Sequence, residues 1–111
     1  MKYALLIYSS DAVRALPEYQ AQAVYSEYEA IDNSPGILDG LQLQPAGSAT
    51  TVRVEDGQAL LTDGPFVDAK EYLGGLYLFE ADDLDTATQM AARVPAARMG
   101  GAVEVRPIVE R

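Results

Sequence analysis

The side chains most able to do chemistry begin at a constrained turn in the middle of the chain. Asp63 opens an Asp-Gly-Pro-Phe run, and its carboxylate could act as an acid or base, or hold a polar group of a ligand. The structural alternative is that Asp63 pins the turn, because aspartate accepts hydrogen bonds from nearby backbone N–H groups. Lys70 and Glu71 follow as candidate ligand contacts, although such charged neighbours are usually solvated. We expect Phe66 to be a core residue rather than a ligand platform.

Two arginines near the C-terminus are the best candidates for anion binding. Arg98 and Arg106 each carry a guanidinium, which can hold a carboxylate or phosphate through two hydrogen bonds. Glu104 lies on the same predicted strand face as Arg106, and it is either a ligand contact or the structural partner of that arginine. Tyr8, at the end of the first predicted strand, either presents its hydroxyl to a pocket or belongs to the half-buried core.

The residue types that are missing exclude several kinds of chemistry. The chain has no cysteine and no histidine, so it lacks a thiol nucleophile, a disulfide and the usual near-neutral general base. Carboxylates alone suit zinc poorly, and neither a phosphate-binding loop nor a dinucleotide motif occurs. We therefore expect no metal and no cofactor.

Charge and hydropathy restrict the partners. The formal net charge of −9 argues against nucleic acid, whose binding depends on cationic contacts to phosphate. No apolar run approaches the roughly 20 residues that span a bilayer, and the N-terminal apolar stretch is typical of a buried strand. We expect no membrane partner and a cytoplasmic location.

The first half of the chain predicts a strand, a helix and a hairpin. Residues 2–8 are typical of a central strand, with turn formers through Asp11. Residues 16–31 predict a helix whose buried apolar stripe is Ala21, Val24, Tyr28 and Ile31, at spacings of three and four. Residues 37–45 are ambiguous, because their leucines fit a short extended piece broken by a glycine. Residues 51–55 and 59–62 flank Asp-Gly, a strong two-residue hairpin signal.

The second half predicts a strand at 73–80, a helix at 84–94 and a strand at 102–108. Asp82 or Asp83 is expected to cap the helix, and the Gly74-Gly75 pair to mark either a β-bulge or a close approach. Without the hairpin, the order is β-α-β-β-α-β, a single α+β domain (residues 1–111) with a ferredoxin-like arrangement. The helices would cover one sheet face. The other face, expected to carry tyrosines and valines, would be buried in a homodimer.

The chain resembles the DGPF branch of the YCII-related proteins over nearly its whole length. The resemblance rests on sequence elements that occur in order: Met1-Lys2-Tyr3, Leu5-Leu6-Ile7-Tyr8, Thr50-Thr51-Val52-Arg53, Asp63-Gly64-Pro65-Phe66, Lys70-Glu71, Leu73-Gly74-Gly75, Pro95-Ala96-Ala97-Arg98 and Val103-Glu104-Val105-Arg106-Pro107.

The resemblance implies a ferredoxin-like fold that pairs into a dimeric α/β barrel. It also implies an accessory or regulatory role, because many genes of the DGPF branch are associated with sigma factors. Some YCII-related proteins use a His–Asp pair, and a few relatives are dehydrochlorinases. Because this chain has no histidine, only Asp63 remains as the implied acid.

Two functions follow for a homodimer with a small-molecule pocket near Asp63. The first is binding of an anionic or phenolic ligand, in an accessory or regulatory role and without cofactor. The alternative is a lyase or hydrolase, with Asp63 as the acid/base, Arg98 or Arg106 holding an anion and Tyr8 donating a hydrogen bond.

Overall fold

A computed structural model describes residues 1–10 and 16–111, so Asp11 of the predicted turn lies outside the described residues. Within these ranges the chain is α+β, with two α-helices and two antiparallel sheets. The elements are β1 (Lys2–Ser9), α1 (Glu18–Asp32), β2 (Ile37–Gln42), β3 (Thr50–Glu55), β4 (Gln58–Asp63), β5 (Tyr72–Glu80), α2 (Leu84–Ala92) and β6 (Ala102–Pro107). Short 3-10 turns occupy Ala46–Ser48 and Pro95–Ala97.

The larger sheet has four antiparallel strands in the order β2-β5-β1-β6. The hairpin β3-β4 forms a separate two-stranded sheet between β2 and β5 in the chain. This arrangement is compatible with the predicted ferredoxin-like fold. The ambiguous stretch after residue 37 is a strand at the edge of the sheet, and its pairing with β5 shifts register between Ile37 and Asp39.

The core lies on one face of the larger sheet, where alternate side chains of the central strands are buried. Tyr3, Leu5 and Ile7 of β1 and Tyr77 and Phe79 of β5 point to this face. Opposite residues of an antiparallel pair share a face, so the register of β6 also directs its two inner valines, 103 and 105, toward the core. The expectation that tyrosines and valines would cover the open face is therefore wrong for most of them. The apolar side chains of that face include Leu6, Leu76 and Leu78.

The two helices pack against this face to different extents. For α2, the sequence spacing predicts a buried stripe of Leu84, Ala87, Ala91 and Val94. The last three are buried, but Leu84 is 53% exposed, so the prediction is wrong for that residue. Asp83 is the N-cap, since its carboxylate accepts a hydrogen bond of 2.8 Å from the backbone N–H of Thr86. That hydrogen bond lowers the pKa of Asp83.

Helix α1 contacts the sheet mainly at its C-terminal end. Pro17 precedes its first residue, and of the predicted buried stripe only Ile31 is fully buried. Val24 and Tyr28 are half-buried and Ala21 is exposed. The apolar stripe therefore faces a cleft rather than a closed core.

The hairpin is confirmed at its turn and in its register. Asp56 and Gly57 both have positive φ, of 50° and 77°, as a two-residue turn of this type requires. The hairpin projects from the larger sheet, and most of its side chains are exposed. Phe66, just after it, is 72% exposed and lies under the Arg53 guanidinium at 5.6 Å from the ring centroid. The prediction that Phe66 belongs to the core is wrong, because the hairpin carries this loop away from it.

The glycine pair in β5 marks both a bulge and a close approach. The pairing of β5 with β1 shifts register opposite Gly74, between Ile7 and Tyr8. A Cβ on Gly75 would lie 2.5 Å from the carbonyl oxygen of Leu41 in β2, which no side chain tolerates without backbone movement.

Candidate functional site

The predicted site residues fall into separate regions. Asp63 ends β4, and Lys70 and Glu71 lie in the loop that follows, with all three exposed. The turn after Asp63 is held by two hydrogen bonds: the N–H of Gly64 donates to the carbonyl of Ala49, and the Thr51 hydroxyl donates to the carbonyl of Gly64. Gly64 has a φ of 102°, a conformation that glycine adopts at no steric cost.

Arg98 lies directly after the 3-10 turn that follows α2. Its guanidinium pairs with the Glu27 carboxylate of α1. Both side chains border a shallow hollow of about 240 Å³, together with Arg93. This ion pair ties the turn after α2 to α1 and occupies the guanidinium that was predicted to bind an anion.

Three predicted residues do come together, on the open face of the larger sheet. Glu104 and Arg106 lie on this face opposite Leu6 and Ala4, and Tyr8 is on the same face one pair further along. Arg106 Nε donates to a Glu104 carboxylate oxygen at 2.6 Å, and this hydrogen bond raises the pKa of Arg106. Glu104 is thus the structural partner of Arg106, the second of the two roles that the sequence allowed.

The main concavity of the described residues is a cleft between α1 and the β2-β5 edge of the sheet. Its volume is about 410 Å³. The sheet contributes mostly small residues to its floor, so the backbone of β2 and β5 is close to the ligand space. The lining residues are Ile7, Ser9, Ala21, Val24, Tyr25, Tyr28, Glu29, Asp32, Gly40, Leu41, Gln42, Gly74, Gly75 and Tyr77. None of the predicted site residues is among them.

One face of α1 supplies most of the side chains in the cleft. Tyr28, Glu29 and Asp32 lie three, four and seven residues after Tyr25, so the four share a helical stripe. The stripe begins with Ala21 and Val24 near the N-terminal end. Along the axis of α1, the cleft therefore changes from apolar to aromatic to acidic.

Tyr77 joins the sheet to the acidic end of the cleft. Its ring is 4% exposed, and its Cε1 lies so near Gly40 that a Cβ there would be 2.6 Å away. Its hydroxyl donates to the carbonyl oxygen of Tyr28 at 3.4 Å, at the end of the cleft that Asp32 borders. Burial and the interaction with Asp32 raise the pKa of Tyr77, and burial raises that of Tyr28. Both phenols are therefore neutral hydrogen-bond donors at neutral pH.

The cleft was not predicted from the sequence, although part of its signal was present. Tyr28 belonged to the predicted apolar stripe of the first helix, but the nearby Tyr25, Glu29 and Asp32 were not singled out. Their common spacing shows that they share a face. It does not show what that face opposes.

Two further features of the described residues bear on function. Residues 1–10 and 16–111 contain no group of three or more acidic side chains placed to hold a metal ion. In the same ranges, neither helix combines the length and hydropathy needed to cross a membrane.

Comparisons with known proteins agree with the sequence resemblance at the family level. A family model described as the YCII-related domain matches residues 1–111. An uncharacterised protein of Rhizobium meliloti (strain 1021) is 32% identical over 114 aligned residues, which cover 97% of this chain and 92% of that protein.

Proposed function

This chain belongs to the YCII-related domain family, and we propose that it is a homodimeric small-molecule-binding protein with an accessory or regulatory role. The cleft between α1 and the β2-β5 edge is the proposed ligand site. The run Asp63-Gly64-Pro65-Phe66 supports placing the chain in the DGPF branch. The acid/base role of Asp63 and a cytoplasmic location stay predictions.

The single observation that carries this proposal is the form of the cleft. At about 410 Å³ it has the size of small-ligand pockets, which run from about 300 to 1,000 Å³. Its walls combine apolar and aromatic surface with a few polar groups at one end, the usual composition of a ligand site. Glycines at positions 40, 74 and 75 border the cleft, so at these positions backbone rather than side chain forms its floor.

A variant that fills the cleft tests this assignment. Ala21→Trp places an indole at the apolar end of the cleft, whereas Ala23→Trp makes the same change on an exposed position of α1 that does not line it. Thermal-shift screening against small phenols, carboxylates and amines would identify binders of the unmodified protein. A ligand at about 100 times its Kd stabilises the folded state by about 2.7 kcal/mol.

We expect Ala21→Trp to abolish the thermal shift and Ala23→Trp to keep it. Equal retention of binding by both variants would place the ligand elsewhere and refute the cleft as the site.

The proposed dimer uses the open face of the larger sheet. Leu6 of β1 and Leu76 and Leu78 of β5 are half-buried there, and the register aligns Leu41 of β2 with Leu76. Leu41 is 56% exposed. Contiguous apolar surface of this kind usually marks an interface. A second copy packed face to face would bury it and complete a dimeric α/β barrel.

Light scattering tests the dimer directly. We expect a mass of two chains at micromolar concentration for the unmodified protein and of one chain for Leu78→Arg, which places a charge on the open face. Leu84→Arg is the control, because Leu84 is exposed at the start of α2, away from the sheet. A monomeric unmodified protein at this concentration would exclude the dimer.

A further inference from the structure

We propose that the cleft selects a small organic cation with an apolar body, of the arylalkylamine class. This inference rests on the proposed function, since it names the ligand class of the same cleft. The apolar body would lie toward the N-terminal half of α1, and the ammonium group toward its C-terminal end.

The acidic end of the cleft has an electrostatic arrangement that the helix itself disfavours. Glu29 and Asp32 both lie in the last turn of α1, and that turn contains no basic residue. The carbonyl groups at a helix C-terminus carry partial negative charge, which favours a nearby cation and disfavours carboxylates. Carboxylates at the C-terminal end of a helix destabilise it, and no ion pair within the described residues offsets this cost. Natural proteins depart from such local preferences mainly at functional sites.

No cation of the described chain neutralises this end of the cleft. Within residues 1–10 and 16–111, the ion pairs involve Glu27, Glu80 and Glu104, and neither Glu29 nor Asp32 takes part in one. The hydroxyl of Tyr77, which donates to the Tyr28 carbonyl, is uncharged and so supplies no counter-charge to either carboxylate. Both carboxylates border the cavity, so an ammonium group placed there would meet them directly.

The middle and the far end of the cleft suit the remainder of such a ligand. The rings of Tyr25, Tyr28 and Tyr77 border the same cavity, and aromatic faces attract cations as well as apolar groups. Beyond them, Ala21 and Val24 provide apolar surface for a hydrocarbon or ring. The cleft is thus apolar at the N-terminal end of α1, aromatic in the middle and negatively charged at the C-terminal end.

The same lining disfavours the anionic ligand that the sequence suggested. None of the described residues lining the cleft is lysine or arginine. Arg98 and Arg106 are paired with glutamates away from it. A carboxylate in the cleft would approach Glu29 and Asp32 without a described counter-charge.

Three probes of similar shape and different charge test the inference. Phenethylamine is cationic, 2-phenylethanol is neutral and phenylacetate is anionic at neutral pH. Isothermal titration of the full chain with each probe compares their affinities. We expect phenethylamine to bind about fivefold more tightly than the alcohol, as one favourable charge contact in a partly exposed site allows, and phenylacetate to bind most weakly. The preference should shrink as salt rises from about 0.05 M to about 0.5 M.

A matched pair of variants locates the charge effect. Glu29→Gln removes one carboxylate from the cleft, and Glu55→Gln removes the same charge from the exposed end of the hairpin strand β3. We expect Glu29→Gln to weaken phenethylamine binding by about threefold to fivefold and to leave 2-phenylethanol unchanged. Glu55→Gln should change neither affinity. Far-UV circular dichroism verifies that both variants are folded.

The outcomes separate this inference from the proposed function. Tighter or equal binding of the neutral or anionic probe, lost in Ala21→Trp, would refute the cation and retain the cleft as a ligand site. The same loss of phenethylamine affinity in both glutamate variants would also refute it, because only net charge would then matter. No binding of any probe at millimolar concentration would refute the inference and count against the proposed function itself.

Discussion

Replacing Tyr77 with phenylalanine isolates the hydroxyl group that joins the sheet to α1. The ring of Tyr77 is 4% exposed and keeps its packing in Tyr77→Phe, so the variant creates no large cavity. What it removes is the 3.4 Å hydrogen bond from the hydroxyl to the carbonyl of Tyr28, together with the interaction of that hydroxyl with Asp32 that raises its pKa. The perturbation is therefore confined to the acidic end of the cleft.

The expected loss follows from the partners of the hydroxyl. A hydrogen bond between neutral groups contributes about 0.5–1.5 kcal/mol, and the acceptor here is the backbone carbonyl of the half-buried Tyr28. We therefore expect the free energy of unfolding to fall by about 1 kcal/mol near neutral pH, the value for an ordinary hydrogen bond. For a chain of this size that corresponds to about 4 °C in Tm.

The same hydroxyl makes stability depend on alkaline pH. Because the folded-state pKa of Tyr77 is raised, its contribution is fully present below the unfolded tyrosine pKa of about 10 and is lost as pH rises through the folded value. The phenylalanine variant lacks this group. The stability gap between the two proteins should therefore narrow above about pH 10.

Urea denaturation followed by far-UV circular dichroism measures both effects, since the chain has no tryptophan to report by fluorescence. Tyr19→Phe is the control, because Tyr19 is 72% exposed and its removal should cost only a few tenths of a kcal/mol. If Tyr77→Phe were no less stable than Tyr19→Phe, or if its gap to the unmodified protein stayed constant to about pH 11, the assigned role of the hydroxyl would be wrong.

Three further substitutions test other parts of the fold by the same denaturation assay. Leu5→Ala removes a fully buried side chain of the central strand and should cost about 3 kcal/mol, whereas Leu38→Ala, at a half-exposed edge position, should cost below about 1 kcal/mol; equal losses would contradict the assigned core. Gly75→Ala should cost about 1–3 kcal/mol through its clash with β2, while Gly47→Ala, with open space around its Cβ, should be near neutral. Asp83→Ala should lower stability at neutral pH, and Asp83→Asn should not, because asparagine also caps helices. Because the pKa of Asp83 is lowered in the folded state, the stability difference between the unmodified protein and Asp83→Ala should disappear as pH falls below about 4. A difference that stayed the same below that pH would refute the cap.

Elements governed by local sequence were predictable. The alternation of β1 and β5, the hairpin turn at Asp56-Gly57 and the cap at Asp83 all depend on neighbours within a few residues. Each carries its own chemical signal, such as a residue that accepts positive φ or a carboxylate beside free N–H groups. The composition likewise determined the chemistry that the side chains cannot supply, because an absent thiol or imidazole is absent in every fold.

The site depended on which surfaces meet. The candidate residues were chosen for their chemistry, yet Arg98 and Arg106 lie next to glutamates, and Asp63 lies on a projecting hairpin. Phe66 was predicted to be a core residue because it is aromatic. Its side chain is exposed because the loop that carries it follows the projecting hairpin.

The sequence by itself determined the helical stripe that runs from Ala21 to Asp32, and the glycines of β2 and β5. Only the tertiary structure decided that these segments face each other across a cleft. Residues 40–42 and 74–77 reach α1 through strand pairing and the packing of Tyr77, and such contacts between distant parts of a chain leave no trace in its local periodicity.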